Sequence, residues 1–410
     1  MTPLRVCIDA RLGTGVFGGV EQVLIGVAAG LSALSDGDEE YLFLTHPEQD
    51  AWLRPYLKGP CRAIHPRLGY PRRRARAIRQ GLLERLPRIG SRFFVRRSDG
   101  TVEASGAAVI HFPFQDAFLT DVPSLYQPHD LQHVHLPELF SPWVRARRDV
   151  VYRTHCARAA MVVSMTSWGK RDLEQHFGLA EEKVAVVPGA SVLREYPTPT
   201  ERDLEALRSR LDLPGRFLLY PAQTWPHKNH RRLFEALAAL RRERGMEIPL
   251  ACPGKREQGF GEIDGLAREL GLASLVRFPG FVSPLELRGL YELASGLVFP
   301  SLFEGWGLPI CEAFDAGLPV ASSNATGLPN VVGDAGLLFD PTDIEEMAEQ
   351  IARLWDEKQL RESLRERGAK RSERFSFERT ARLFRAHYRR IGGRMLSEED
   401  RILLAAPPPA

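Results

Sequence analysis

The stretch Phe299-Pro300-Ser301-Leu302-Phe303-Glu304-Gly305-Trp306-Gly307-Leu308-Pro309-Ile310-Cys311-Glu312-Ala313 decides how the chain is read. An apolar run closing at Pro300 gives way to a glycine-rich turn. Pro309 then stands where the first turn of a helix tolerates a missing N–H. Unpaired backbone N–H groups at such a helix start carry partial positive charge and attract phosphate. Glu304 falls in the turn and Glu312 follows inside the helix. Two carboxylates so placed can grip two hydroxyl-bearing parts of one ligand, such as a sugar and a ribose. The plainer reading makes Glu304 a helix cap and Glu312 a solvated surface charge.

Outward from this segment, short apolar runs alternate with longer amphipathic patterns. Strands are expected at Leu4–Asp9, Tyr41–Thr45, Ala108–Phe112, Ser124–Gln127, Ala160–Ser164 and Lys183–Pro188. A second series follows at Arg216–Pro221, Leu250–Pro253, Leu275–Pro279, Gly296–Pro300, Pro319–Ser322 and Gly336–Asp340. Expected helices include Val20–Leu34, Val144–Ala160, Arg231–Arg242, Pro284–Ala294 and Ile344–Glu357. Such alternation predicts an α/β fold with parallel sheets covered on both faces. Pro188-Gly189-Ala190 and the Pro/Thr-rich 196–200 punctuate the chain near its middle. At about 100–200 residues per domain, 410 residues make two domains, with the ligand cleft between them. The expected division is 1–190, 200–375, and a terminal helix at 376–395 packing back on the first domain.

On these residues the chain resembles the retaining nucleotide-sugar glycosyltransferases of family 4. The family signature of two Glu residues separated by seven positions matches Glu304 and Glu312. The likeness continues through Ala316-Gly317-Leu318-Pro319-Val320, Gly333-Asp334-Ala335-Gly336 and Phe339-Asp340-Pro341. It also takes in Gly280-Phe281-Val282 and the run from Tyr220 to His230. The resemblance implies the GT-B fold, two Rossmann-like parallel-sheet domains facing a central cleft. It implies that Glu304 contacts the donor sugar, Glu312 the ribose, and the backbone of Gly305, Trp306, Gly307 and Leu308 the diphosphate and sugar. Lys228 would neutralise the leaving diphosphate, and Val282 would lie against the base. A departing nucleoside diphosphate develops negative charge, which fixed cations and backbone donors stabilise. No metal or other cofactor is expected, and no Asp-x-Asp motif stands out. Two positions depart from the family pattern: Gln223 replaces a basic residue, leaving Lys228 alone or aided by Lys255, and Asn330 replaces a Glu.

In the first half, Gly13, Gly15, Gly18 and Gly19 follow the first strand and open a helix. The resemblance places Gly18 and Gly19 at the donor phosphate. The same glycines also spell the dinucleotide fingerprint, but Glu48 follows Gly18 by 30 residues, beyond the spacing of about 20 that a ribose-binding acid takes. His129 in Gln127-Pro128-His129-Asp130 ends another strand, and the resemblance makes it a contact on the donor sugar or the acceptor, its imidazole oriented by Asp130. Ser164–Ser167 and Gly189 are further candidates to line the cleft.

The net charge of +3 hides an asymmetry. Between Arg62 and Arg97 stand 12 Arg and one acid, Glu84, a local +11 that leaves −8 for the other residues. This basic insertion, at about 62–97, carries Ala75, Ile78, Leu82 and Leu86 on one helical stripe, flanked by Arg72, Arg73, Arg74, Arg76 and Arg79. An anionic membrane surface, a phosphate-bearing or lipid-linked glycan acceptor, and a merely solvated face all remain open; nucleic acid ranks last because aromatic interleaving is sparse. The opening Leu4–Asp9 strand leaves no room for a signal peptide, the 13-residue apolar stretch Val23–Ser35 is too short for a membrane span, and five scattered cysteines indicate neither disulfides nor zinc. The expectation is a cytoplasmic enzyme, peripheral at the inner membrane face, that moves a hexose such as mannose from a nucleoside diphosphate sugar to a hydroxyl acceptor. The competing readings are an epimerase, a phosphorylase, or a nucleotide-sugar-binding protein without turnover.

Overall fold

The computed structural model describes residues 2–12, 18–66, 94–257 and 259–408. Gly13 and Gly15 lie outside the described residues, as do Arg72, Arg73, Arg74, Arg76, Arg79 and the Ala75–Leu86 stripe. The chain divides into two units: the residues through Gly189 together with Phe377–Pro408, and Ala190–Ser376.

In the first unit the strands are β1 (Leu4–Asp9), β2 (Glu39–Leu44), β3 (Cys61–Ile64), β4 (Arg96–Arg97), β5 (Val109–Phe112), β6 (Phe118–Leu119), β7 (Ser124–Tyr126), β8 (Met161–Ser164) and β9 (Val184–Val186). Seven of them form one parallel sheet in the order β3-β2-β1-β5-β7-β8-β9, with Val6 in register with Tyr41 and Val109. β5 and β8 are buried along their whole length, as expected for strands covered on both faces. β4 and β6 form a separate pair.

The edge strand β3 escapes the sequence reading because it is short and carries Arg62 among only three apolar residues. Arg62 donates to Glu40 of β2 at 3.1 Å, so the basic run begins on a sheet edge. At its other end Arg96 pairs with Asp116 at 3.2 Å.

The helix Gly19–Ser32 covers this sheet and receives the helix Phe377–Ile391 against it. The approach is close because a Cβ at Gly26 would stand 2.1 Å from the Phe377 ring, and one at Gly30 2.3 Å from the Phe377 carbonyl. Only glycine allows that spacing. Arg385 on the second helix is 1% exposed, and its guanidinium pairs with Asp36 and Glu399. Arg389 pairs with Glu39 at 2.6 Å and Asp400 at 2.8 Å. Buried guanidinium groups persist only with such partners.

The second unit holds β10 (Leu218–Leu219), β11 (Leu250–Pro253), β12 (Val276–Gly280), β13 (Gly296–Phe299), β14 (Val320–Ser323) and β15 (Gly336–Phe339). These form a parallel sheet in the order β12-β11-β10-β13-β14-β15. Strand order reverses between β10 and β13, and ligands of open α/β sheets bind at the carboxyl edge beside such a switch. The loops that follow β10 and β13 open at that edge. Ser283 starts the helix Pro284–Leu293 with a reciprocal cap to Glu286. No helix among the described residues is long and apolar enough to cross a membrane.

Candidate functional site

The loop after β10 ends in a single turn, Pro226–Lys228, whose entry Pro226 pre-sets. Asn229 follows at φ 60°, a left-handed conformation that asparagine tolerates. Its buried side chain donates to the carbonyls of Pro300 at 3.0 Å and Pro341 at 2.7 Å. The Leu302 N–H donates to the His227 carbonyl at 2.8 Å. The turn after β10 is thereby locked against the loop after β13.

That lock brings Lys228 Nζ within 2.5 Å of Glu304 Oε1, with the two side chains 19% and 15% exposed. Burial resists ionisation of Glu304, but the Lys228 ammonium and His227 outweigh it and hold the carboxyl below the usual range. The Lys228 ammonium also lies 5.8 Å from the Phe299 ring centre.

The backbone of Glu304 is held by Thr326. The Glu304 N–H donates to Thr326 Oγ1 at 3.0 Å, and the Thr326 hydroxyl donates to the Glu304 carbonyl at 2.8 Å. Thr326 itself has φ 54°, an outlier for a β-branched residue, so strain accompanies the positioning of Glu304.

The helix Leu308–Asp315 begins after Gly307, and no side chain caps it. Glu304 is therefore not the cap that the plainer reading made it. Gly307 sits at φ 101°, and a Cβ there would stand 2.7 Å from Leu328 Cδ2. Leu308 is buried. The Trp306 indole is also buried and packs edge-on to Phe375 at 5.1 Å, so a ligand can meet Trp306 only through its backbone. Glu312 is 1% exposed, which overturns the solvated reading; its Oε2 accepts the Tyr291 hydroxyl at 2.6 Å. Val282 is half-buried beside Phe281, which is 75% exposed.

At the departures from the family pattern, Gln223 Oε1 accepts the Trp225 indole N–H at 2.7 Å. Lys255 pairs with Glu257 at 3.2 Å, on a loop held by the Glu257 N–H donating to Thr224 Oγ1. Asn330 lies in the short helix Leu328–Val332, whose last carbonyls receive Arg371.

In the first unit, Gly18 (φ 41°) starts the helix Gly19–Ser32, which has no side-chain cap. His129 is half-buried at φ 69°, and its Nε2 donates to the Pro113 carbonyl at 2.7 Å. That bond assigns the ring proton to Nε2 and leaves Nδ1 as the lone-pair nitrogen. Asp130 Oδ1 accepts the Gln132 N–H at 3.1 Å, and its charge also acts on the His129 ring, which the bond to Pro113 holds. Burial holds the His129 pKa below its ordinary value. Ser164 and Thr166 use their hydroxyls locally, Thr166 capping the helix Ser167–Phe177.

Lys228, Glu304 and the Gly305–Gly307 turn thus converge at one sheet edge, with Glu312 buried on the helix behind. Thr326, Asn229 and Tyr291 were missed in the sequence. Asn229, directly before a helical pattern, offered a local signal; the other two offered none.

The family described as Glycosyltransferase Family 4 matches residues 17–190, and the family described as Glycosyl transferases group 1 matches residues 203–371. The chain is 29% identical over 267 residues to the O-antigen chain mannosyltransferase B of Escherichia coli, covering 62% of this chain and 70% of that protein. It is also 29% identical over 231 residues to the serotype-specific mannosyltransferase WbdA of Escherichia coli, covering 55% of this chain but only 28% of WbdA. A D-inositol 3-phosphate glycosyltransferase of Corynebacterium aurimucosum is 28% identical over 274 residues, 64% of this chain and 65% of that one. In fold the chain is similar to Anabaena HepE, solved in complex with UDP and glucose, with TM-score 0.70 and 20% identity over 94% of this chain and 99% of that one.

Proposed function

Because this chain belongs to the family 4 glycosyltransferases and has their GT-B fold, we propose that it transfers a hexose, mannose foremost, with retention of configuration. The donor is a nucleoside diphosphate sugar, and the acceptor is a hydroxyl of a glycan or lipid-linked glycan. The observation that carries this reading is the Lys228–Glu304 pair, an ammonium and an ionised carboxylate held together beside an uncapped helix start. Donor binding exchanges one partner of Lys228 for the diphosphate, while Glu304 turns to the sugar hydroxyls. The Gly305–Leu308 backbone meets the same phosphates, so negative charge on the leaving group grows where donors already point. Glu312, held by Tyr291, takes the ribose, and Val282 lies against the base. Gly18 and Gly19 contact the donor phosphate, and His129 the sugar or acceptor. The leaving phosphate helps to deprotonate the acceptor hydroxyl during front-face displacement. These groups need neither a metal nor another cofactor for the transfer itself.

The mannose assignment is supported by the names of the first relatives, two of which are mannosyltransferases. The +11 run from Arg62 to Arg97 supports a phosphate-bearing or lipid-linked acceptor at the cytoplasmic membrane face, with the enzyme peripheral there. A relative named for D-inositol 3-phosphate agrees with a phosphate-bearing acceptor.

The test is release of nucleoside diphosphate from GDP-mannose, UDP-glucose and UDP-galactose with mannosylated and phosphate-bearing acceptors. Acceptor-dependent release with an α-linked product, read by the one-bond carbon–proton coupling at the anomeric centre, is expected. Inversion would overturn the retaining assignment, and donor binding without release across all acceptors would favour a binding protein. Replacing Arg72–Arg76 by Ser should lower binding to anionic vesicles and spare donor hydrolysis.

A further inference from the structure

The first unit carries a second constellation, separate from the Lys228–Glu304 site of the other unit. His135 closes a short helix, Gln132–His135, on the segment that follows β7 and bears His129. The helix Ser167–Phe177 follows β8, the sheet neighbour of β7. It presents Asp172 and His176 at positions i and i+4, a spacing that puts both on one face. The two elements meet there. His135 Nε2 lies 2.7 Å from Asp172 Oδ1, and His176 Nδ1 lies 3.0 Å from the same oxygen. The three atoms all fall within 4.8 Å of one another. The Asp172 side chain is only 6% exposed, whereas the imidazoles are 30% and 34% exposed. The carboxylate is thus fixed in the wall, and the imidazole side is open to solvent.

We propose that His135, Asp172 and His176 bind one divalent transition-metal ion of the zinc class, clamping the His129-bearing segment to the helix after β8. Two imidazoles and one carboxylate suit zinc and its neighbours, whereas magnesium and calcium favour oxygen ligands. Ligand atoms about 2.0–2.2 Å from a tetrahedral zinc stand roughly 3.3 Å from each other. The 2.7 and 3.0 Å contacts therefore open by a few tenths of an ångström, and the two imidazole nitrogens, within 4.8 Å of each other, close by up to about 1.5 Å through rotation of the exposed rings. His135 Nε2 now donates to the Asp172 carboxylate, and His176 Nδ1 to the Asp172 backbone carbonyl at 3.0 Å. On binding, each imidazole carries its proton on the other ring nitrogen and turns the freed lone pair to the ion, and water completes the coordination. Thr166 roots the second helix through the Gly169 N–H at 3.0 Å, so the ion joins the His129 segment to an anchored element. The three residues position His129 and do not touch the reacting atoms.

The test uses the full chain without an affinity tag and zinc alone as the probe, in competition with a chromophoric chelator. One ion per chain is expected. His135→Ala and His176→Ala should each weaken binding by at least about tenfold, since losing even an outer partner of a metal site costs that much. Zinc should raise the melting temperature of the native chain and not of the variants. Because the His135 ring lies 5.7 Å from that of Trp168, Cu²⁺ should quench part of the tryptophan fluorescence in the native chain and less in His135→Ala. Should an alanine variant fail to fold by circular dichroism, the Gln variant at the same position is read instead. Absence of binding, or equal affinity in native and variant chains, would overturn the proposal.

Discussion

Lys228 and Glu304, 76 positions apart, share a 2.5 Å hydrogen bond within one sheet edge, and each is largely shielded from water. The contact holds because Asn229 pins the turn behind Lys228 to the Pro300 and Pro341 carbonyls, and Thr326 holds the Glu304 backbone from the other side. Glu304→Gln keeps the shape and removes the charge. Turnover should fall by about 10²–10³-fold, the usual cost of one preorganised electrostatic contact. Nucleoside diphosphate binding, measured by calorimetry, should survive; native turnover in this variant would remove Glu304 from the reaction.

Lys228→Met should weaken nucleoside diphosphate binding by about ten- to a hundredfold, the worth of one charged hydrogen bond. It should also alter acid stability. The Glu304 pKa is depressed in the folded chain, so its stabilisation is complete above the unfolded value of about 4.3 and is lost as pH falls through the folded value. Without Lys228 that contribution disappears, and the acid-unfolding midpoint should move to higher pH. An unchanged midpoint would mean that the pair adds nothing to stability.

Gly307→Ala imposes a Cβ at φ 101°, 2.7 Å from Leu328 Cδ2. Strain of this kind costs about 1–3 kcal/mol. The melting temperature of the variant should fall by several degrees and donor turnover should fall with it. Full activity at native stability would show that the turn tolerates a side chain.

Tyr291→Phe deletes the hydroxyl that donates to the buried Glu312 carboxylate at 2.6 Å. The loss should cost about 1.5–3 kcal/mol by chemical denaturation, the range for hydrogen bonds to charged groups. If Glu312 holds the ribose, KM for the donor should rise while kcat changes little. A fall in kcat alone would place Glu312 at the transition state instead.

His129 donates through Nε2 to Pro113 and is kept neutral by burial below its ordinary range. Activity that needs the neutral ring should therefore persist as pH drops past about 6.5, the ordinary histidine value. The pH profile of kcat/KM, compared between native chain and His129→Gln, checks this. A native acid limb near 6.5 that vanishes in the variant would contradict the burial.

Much of the frame was legible in the residues. β1 and β11 fall where the apolar runs predicted them, because strands buried on both faces read as near-continuous hydrophobic stretches. Gly307 was legible as a turn glycine, and its positive φ gives the reason. β3 was not legible, since four residues including Arg62 carry too little pattern. Thr326 could not be foreseen either, because a β-branched residue at positive φ runs against its own propensity and is held there by partners remote in the chain. At His129 the carbonyl of Pro113, 16 positions earlier, also takes a bond from the ring, a partner that no local spacing announces.

The order of apolar runs, glycines and carboxylates along the chain was enough to determine two parallel α/β sheets and a glycine-rich turn at Glu304 that leads into the helix carrying Glu312. That information is local, carried by periodicity and by backbone conformations only certain residues adopt. Tertiary structure alone decided which groups meet. β10 and β13 are neighbours in the sheet although β11 and β12 separate them in sequence, so the Lys228 turn and the Glu304 loop open side by side. Packing of the helices before and after β13 sets Tyr291 on Glu312, and in the first unit the pairing of β7 with β8 sets His135 on Asp172. Contacts of this kind depend on the order in which strands pair, which no spacing of residues encodes.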